Sequence, residues 1–187
     1  MKKLWIKWLC WRGLAIDIKS NAKYPANVLS NFGGNGFKFD GMECKSMEGF
    51  LQSLKFQDIQ KQRQVCSMRG RKARNQSSNR WKVNQQVFWQ NQTIDRQSEE
   101  FQLLLRRAYQ AMFEQSIRFH DALLLTRGRK LFHSIGGNNS YETILTSGEL
   151  CLILTELRDN EEYRRTSAIP TETVCQRKWC PFRKHCN

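Results

Sequence analysis

The chain has 187 residues, of which 40% are hydrophobic; this length supports one domain with a buried core and is too short for two domains of ordinary size. Its 31 basic and 17 acidic residues give a net charge of +14, which favours a polyanionic partner such as nucleic acid, a nucleotide or an acidic membrane surface. No segment approaches the ~20 apolar residues of a membrane-spanning helix, so we predict a soluble, cytoplasmic protein with no membrane span.

The N-terminal residues 1–13, "MKKLWIKWLCWRG", are basic and aromatic. They resemble a signal peptide only loosely, because Lys7 interrupts the short apolar stretch and no small-residue cleavage site follows. We interpret them as an extension that precedes the domain, with contact to a membrane interface as the alternative.

Two short strands are predicted next. Residues 14–18, "LAIDI", alternate as a half-buried strand does, and residues 37–39, "FKF", are followed by an Asp-Gly turn.

The first helix of the domain is predicted from the N-cap Ser46 to about Gln64. At about 100° per residue, one apolar stripe contains Met47, Phe50, Leu51 and Leu54, and a neighbouring polar stripe contains Glu48, Gln52 and Lys55. Phe56 and Ile59 flank the polar stripe on its other side, which leaves Gly49, Ser53 and Gln57 facing water.

A polar stripe between two apolar ones is poorly explained as a solvated face, because burying charged groups costs free energy unless they are paired or used. We therefore expect Glu48 to line a cleft. The alternative is that Glu48 only complements the positive end of the helix.

Residues 61–82 contain eight basic and no acidic residues. A solvated helix face and a surface for an anion explain this run equally well. The segment that follows, "RWKVNQQVFWQNQ", places Trp81 and Trp89 eight residues apart, on nearly the same face if it is a helix.

The remaining helices are interpreted as structural. Ser98 caps a long helix with core spacing, a shorter helix ends at Gly128, and Thr146 and Glu149 have the spacing of a capping box before the last helix. His133 is interpreted as a hydrogen-bonded structural residue and not as a base.

The seven cysteines are odd in number, and four of them stand singly in the domain, which fits a reducing compartment better than a disulfide framework. The C-terminal residues 166–187 lack periodicity and are predicted to be a basic tail. Their possible zinc ligands lack a close CxxC pair, so no metal site is predicted there; these residues are Cys175, Cys180, His185 and Cys186.

The carboxylate of Glu48, a lysine, two tryptophans and an adjoining basic run suit cleavage of a glycosidic bond in a nucleotide-like compound. A carboxylate can activate water, an aromatic ring can stack on a base, and cations can hold phosphates. These residue types make the chemistry possible without selecting it.

Several segments in fixed order resemble the YbiA-like or NADAR family of N-glycosidases over roughly residues 14–160. They are "YPANVLSNF", "FKFDGMECKSMEGFLQSLKF", "WKVNQQVFWQ", "DRQSEEFQLLLRRAYQAMF", "ALLLT", "LFHSIG" and "ETILTSGELCLILTELR". The resemblance implies hydrolysis of N-glycosidic bonds to ribose, in phosphoribosyl intermediates of riboflavin synthesis or in ADP-ribose attached to guanine, without a metal or other cofactor.

The resemblance also implies which residues form the site. Glu48 and Lys55 take the catalytic positions, and the substrate-binding positions fall on Ser30, Asn31, Phe32, Trp81 and Trp89. Gln52, in the same polar stripe as Glu48, is also predicted to bind substrate. Many relatives have an aspartate late in the chain, where "GGNNSYETILT" offers Asn139 or, in another alignment, Glu142. Asn139 is predicted to bind the ribose or the base.

We therefore predict an α+β fold, a single mainly helical domain over residues 14–165 with a small β element. Its predicted activity is hydrolysis of the C1'–N bond of an ADP-ribosyl or phosphoribosyl substrate by a monomeric enzyme. The alternative is a module of the same fold that binds nucleic acid, through residues 61–82 and the basic ends, with little or no catalysis.

Overall fold

The computed structural model describes residues 2–167, with side chains from residue 3 to residue 160. In this part of the chain, eight helices surround three two-stranded sheets, which confirms the predicted α+β class. The helices are α1 (Lys2–Trp11), α2 (Met47–Ser53), α3 (Ile59–Cys66), α4 (Gly70–Arg74), α5 (Trp81–Asn84), α6 (Glu99–Gln115), α7 (Ile117–Leu124) and α8 (Ser147–Ser167). The strands are β1 (Ala15–Asp17), β2 (Phe37–Phe39), β3 (Met42–Cys44), β4 (Gln86–Trp89), β5 (Gln92–Asp95) and β6 (Lys130–Phe132).

The three sheets join different parts of the chain. Strands β2 and β3 form a hairpin around the predicted turn at Asp40 and Gly41, both of which have the positive φ that such a tight turn requires. Strands β4 and β5 form a second antiparallel hairpin, and β1 pairs in parallel with the distant β6. The β1–β6 pair brings residues near 17 and near 133 to the same edge of the domain.

Helices α6 and α8 both contribute buried residues to the hydrophobic core. Ser98 caps α6 by accepting a hydrogen bond from the backbone N–H of Phe101, as predicted. The capping box of α8 is also present, because Thr146 Oγ1 accepts from Glu149 N at 3.1 Å and Glu149 Oε2 accepts from Thr146 N at 2.7 Å.

The prediction of one helix from Ser46 to Gln64 is wrong. Helix α2 ends at Ser53, and a separate helix, α3, begins after Asp58, whose side chain caps it by accepting from Lys61 N at 2.7 Å. The break leaves the carbonyl of Leu54 free to accept from Phe88 N of β4 at 2.7 Å. A tertiary hydrogen bond and a local cap together interrupt a pattern that is continuous in the sequence.

Because the chain folds back after α2, the side of α2 predicted to face water is covered by α3. Gly49 and Ser53 are buried, and only Gln57 of the three residues is exposed. A side chain at position 49 would place its Cβ 2.6 Å from the carbonyl oxygen of Met68 and 3.0 Å from that of Cys66. Glycine is therefore required at position 49 by the close approach of the following backbone.

We expect Gly49→Ala to destabilise the protein by about 1–3 kcal/mol or more, because the atoms that its Cβ meets are backbone atoms that have no alternative rotamer. The free energy of unfolding from urea titration would measure this effect. Gly148→Ala in α8 is the matched control, since the nearest atom to its Cβ lies at 3.9 Å; it should leave stability unchanged or slightly higher. Equal losses in both variants would contradict the packing argument.

Trp81 and Trp89 do not share a helix face, which corrects the prediction for that segment. Trp81 begins the short helix α5, which ends when Gln85 adopts a left-handed conformation with φ of 58°. Trp89 ends strand β4. The two tryptophans therefore belong to different elements.

The predicted N-terminal extension forms helix α1, which packs Ile6 and Leu9 onto the domain. The boundary at residue 13 stays a prediction. None of the helices within residues 2–167 is long and apolar enough to cross a membrane.

At the other end, α8 continues to Ser167, and residues 168–187 lie outside the described part of the chain. The candidate zinc ligands from Cys175 to Cys186 are among these residues. Four cysteines in the described part are free thiols, namely Cys10, Cys44, Cys66 and Cys151.

Candidate functional site

A cavity of about 320 Å³ opens between α2, α4 and three loops. Its lining includes the loop of residues 30–32 and residues 133, 135–137 and 143–145. Glu48 and Gln52 of α2 and Arg74 of α4 also line it. The cavity therefore brings together segments that are separated by more than a hundred residues in the sequence.

Glu48 lies in the first turn of α2 with only 8% of its surface exposed. Its position is fixed in two ways: its backbone N–H donates to the carbonyl of Asn31 at 3.0 Å, and Gln52 Nε2 donates to its Oε1 at 2.9 Å. Glu48 is also the only carboxylic acid among the described residues that line the cavity. The expectation that it lines a cleft agrees with this geometry.

Burial raises the pKa of Glu48, and the hydrogen bond from Gln52 and the charges of Lys55 and Arg74 only partly oppose this effect. A raised pKa increases the fraction of the protonated acid near neutral pH. A carboxyl group in that condition can both donate and accept a proton during a reaction.

The loop of residues 30–32 is held against the core by Tyr109 of α6. The buried Tyr109 hydroxyl donates to Asn31 Oδ1 at 2.6 Å. Because its carbonyl oxygen is occupied in this way, Asn31 has its amide N–H groups available at the cavity. Ser30 stabilises the same turn by accepting from Phe32 N at 3.4 Å.

Gln52 presents an unused hydrogen-bond acceptor. Its side chain is buried, its Nε2 is occupied by Glu48, and its Oε1 has no partner among the described residues. A buried polar atom without a partner costs free energy that a bound donor would recover. Gln52 is thus suited to accept from a hydroxyl or N–H group of a ligand.

Lys55 does not line the cavity but lies beside it. Its Nζ donates to Ser77 Oγ at 2.9 Å and stands 5.8 Å from the centre of the Trp81 ring. Burial lowers the pKa of Lys55 to about 8, although the nearby Glu48 carboxylate acts in the opposite direction. Trp81 is buried beneath Lys55, and it is not among the lining residues.

The other two predicted substrate residues lie apart from the cavity. Trp89 is buried against Phe39 and Phe50, and its Nε1 donates to Asp40 at 2.9 Å. It contributes to the aromatic core in this position. Asn139 is exposed and accepts from Tyr141 N at 3.0 Å.

Glu142, the alternative carboxylate, is also exposed and pairs with Lys82 at 2.7 Å. Neither Asn139 nor Glu142 is part of the cavity wall. The late segment contributes Thr143, Ile144 and Leu145 instead.

The cavity lining also includes residues outside the predicted set, among them Arg74 and His133, and Tyr109 supports it indirectly by holding Asn31. Arg74 lines the cavity with its guanidinium carbon 6.0 Å from the centre of the Phe32 ring. His133 makes the expected structural hydrogen bond, donating from Nδ1 to the carbonyl of Ile18 at 2.7 Å, and the same ring lines the cavity. With Nδ1 protonated, Nε2 of the neutral ring is an acceptor.

The basic run 61–82 lies along α3, α4 and α5, next to the cavity. Among the side chains that the structure describes, those of residues 3–160, Lys82 is the only one of its eight basic residues that forms an ion pair. The described residues contain no group of three His, Cys, Asp or Glu side chains that could hold a metal ion.

Comparison with known proteins identifies the group to which this site belongs. The family described as "Bacteriophage protein GP30.3" matches residues 23–159. The chain belongs to this family. The matched range includes Glu48, Lys55 and the cavity walls, whereas α1 and the C-terminal residues lie outside it.

One protein similar to this chain is the "Uncharacterized 17.1 kDa protein in Gp30-rIII intergenic region" of Enterobacteria phage T4. It is 34% identical over 148 residues, which is 78% of this chain and 97% of the T4 protein. The fold is similar to the NMR structure of the E. coli protein YbiA, with a TM-score of 0.56 and 19% identity over 84% of this chain and 90% of that one. The predicted YbiA-like or NADAR assignment is confirmed.

Proposed function

We propose that the protein is an N-glycosidase that hydrolyses the C1'–N bond of an ADP-ribosyl or phosphoribosyl compound, and that ADP-ribose attached to guanine is its substrate. The observation that carries this proposal is the buried, hydrogen-bonded Glu48 in the lining of a polar cavity. Family membership and the YbiA-like fold support it.

In the proposed reaction, water attacks C1' and the electron pair of the C1'–N bond passes to the leaving nitrogen. One proton must leave the water and one must reach the departing base. Glu48 can serve both steps, because it is the single carboxylic acid on the described cavity wall and its pKa is raised. A mechanism with two facing carboxylates would need a second acid within about 5–10 Å.

The neighbouring residues would bind the substrate. The free Gln52 Oε1 and the amide N–H groups of Asn31 would bind ribose hydroxyls or base edges, and Arg74 would face a phosphate. Lys55, held between Ser77 and Trp81, would set the electrostatic potential around Glu48. Trp89 and Asn139 have no contact role in this proposal.

A second candidate function is nucleic-acid binding with little or no catalysis. In both proposals the protein is a cytoplasmic monomer. The seven basic residues of the 61–82 run without ion pairs in the described structure favour it. Substituting Arg69, Arg71 and Lys72 by Ala would then weaken binding uniformly and make its salt dependence shallower.

The direct experiment is to measure ADP-ribose release from a guanine-ADP-ribosylated oligonucleotide, with the unmodified oligonucleotide as the blank. Free phosphoribosyl compounds would be assayed in parallel. Release from any of these substrates supports the glycosidase, and the substrate that reacts defines its class. Binding of the oligonucleotide without release of any product would support the second function.

Because the pKa of Lys55 is lowered to about 8, the proposal also predicts a pH dependence. The ammonium is charged below pH 8 and neutral above it, so kcat/KM should fall as the pH rises through about 8. In Lys55→Arg the charge persists, and the decline should move to higher pH. Lys72→Arg, at an exposed position, is the control; an unchanged decline in Lys55→Arg would exclude Lys55 as its source.

A further inference from the structure

Helix α1 has two apolar faces, and the residues that the structure describes cover only one of them. Ile6 and Leu9 point into the domain and are buried. Leu4, Trp8 and Trp11, spaced as i, i+4 and i+7, form the outward face and are 70%, 51% and 79% exposed. We call these three residues the outer face of α1.

The fold does not explain the outer face. The contact of α1 with the domain uses Ile6 and Leu9, together with an edge-on contact of Trp5 with Phe132 at 5.8 Å. The family match begins at residue 23, so α1 lies outside the matched range. A contiguous group of large exposed apolar side chains marks an interaction surface more often than chance.

The charges around the outer face indicate the chemistry of its partner. Lys3, Lys7 and Arg12 are exposed at its borders, and none of them forms an ion pair within the described residues. The Arg12 guanidinium carbon lies 5.9 Å from the Trp8 ring centre. Residues 1–16 contain no acidic side chain, so this surface is complementary to a negatively charged partner.

We propose that α1 docks the protein on the surface of an anionic lipid bilayer. The outer face would enter the interface between headgroups and acyl chains, where tryptophan is favoured, and Lys3, Lys7 and Arg12 would reach lipid phosphates. The separation of an apolar centre from cationic borders favours a bilayer over nucleic acid. A strand that stacks its bases would need the aromatic rings and cations intermixed along a groove, and Leu4 offers it no stacking surface.

The proposal is independent of the glycosidase activity and is tested by vesicle flotation of the full chain. The vesicles contain phosphatidylcholine alone or with an equal amount of phosphatidylglycerol. The protein should float with the anionic vesicles and remain at the bottom with the neutral ones. The double variants Trp8→Ala/Trp11→Ala and Lys7→Glu/Arg12→Glu should each lower partitioning by about tenfold or more.

The matched control is Val83→Ala/Ile117→Ala, which removes two exposed apolar side chains from other helices. It should float like the wild type. Circular dichroism and thermal unfolding check that every variant is folded, which is expected because the substituted residues are exposed.

Three results would overturn the proposal. The first is no flotation of the wild type with anionic vesicles. The second is flotation that the Trp8→Ala/Trp11→Ala variant retains in full, since charge alone would then be responsible. The third is binding to an unmodified single-stranded oligonucleotide that depends on Trp8 and Trp11 without any binding to vesicles, which would assign the outer face to nucleic acid.

Discussion

Glu48→Gln should lower kcat/KM for release of ADP-ribose by about 10²–10⁴-fold, the usual loss when a general acid–base group is removed. Glutamine has nearly the same shape and its Oε1 can still accept from Gln52 Nε2, so the cavity should be preserved. Substrate binding should therefore change far less than turnover. The measurement is kcat and KM from initial rates, together with the affinity of the inactive variant for the modified oligonucleotide.

The same substitution should raise stability at neutral and alkaline pH. Since burial raises the pKa of Glu48 in the folded protein, its contribution to stability is present below its ordinary pKa and is lost as the pH rises through the raised value. Glutamine does not titrate. Urea unfolding of both proteins should show an advantage for the variant near pH 8 that disappears near pH 4.

Glu142→Gln is the control for the catalytic assignment, because Glu142 is exposed, pairs with Lys82 and is outside the cavity wall. It should keep the wild-type rate within a few-fold. Loss of turnover in Glu142→Gln with an active Glu48→Gln would transfer the catalytic role to the late segment of the chain.

Local chemistry explains which elements could be predicted from the sequence. The hairpin of β2 and β3 follows from the Asp40-Gly41 turn, and the starts of α6 and α8 follow from Ser98 and from the Thr146 and Glu149 box. In each case, residues within four positions of one another determine the backbone.

The break between α2 and α3 depends on a distant strand and could not be read from the helical pattern. Phe56 and Ile59 continue the apolar spacing. However, the carbonyl of Leu54 accepts a hydrogen bond from the backbone N–H of Phe88, which is 34 residues away. The Asp58 cap was the available local signal. A continuous helix would place Gly49 on the face toward water. In the fold, Gly49 lies against the backbone carbonyls at the end of α3.

The candidate site also contains some residues that local sequence patterns predict and others that depend on distant contacts. Glu48, Gln52 and the 30–32 loop were predicted from one helix stripe and a family resemblance, and they meet in the cavity. The Tyr109 hydroxyl donates to Asn31, which is 78 residues earlier in the sequence. Because Tyr109 lies on the core stripe of α6, the sequence indicates only a packing role for it. His133 reaches the cavity through the β1–β6 pairing, for which the sequence has no local signal.

Arg96→Ala should destabilise the protein by about 3–5 kcal/mol, the usual cost of breaking a buried ion pair from one side. Arg96 is 1% exposed, and its Nη2 donates to Glu149 Oε2 at 2.7 Å. Its Nε also donates to the carbonyl of Thr143 at 3.3 Å, on the cavity wall. Urea unfolding would measure the loss, and glycosidase activity should fall as well because this wall loses its support.

Arg106→Ala is the matched control, because Arg106 also pairs with a glutamate of α8, Glu156, at 3.0 Å. Both side chains of this pair are more than a third exposed, so the expected loss of stability is about 1 kcal/mol or less. Burial, and not the number of ion pairs, should therefore separate the two variants. Similar losses would mean that water reaches the Arg96–Glu149 pair in solution.

The pH dependence of the Arg96→Ala loss provides a second test. Burial raises the pKa of Glu149, but the hydrogen bonds from Thr146 and Arg96 and the Arg96 charge outweigh it, so the net pKa is lowered. The stability from this group is therefore present above its ordinary pKa and is lost as the pH falls through the lowered value. The difference in the free energy of unfolding between wild type and Arg96→Ala should become smaller at acidic pH. A purely steric role of Arg96 would leave this difference constant.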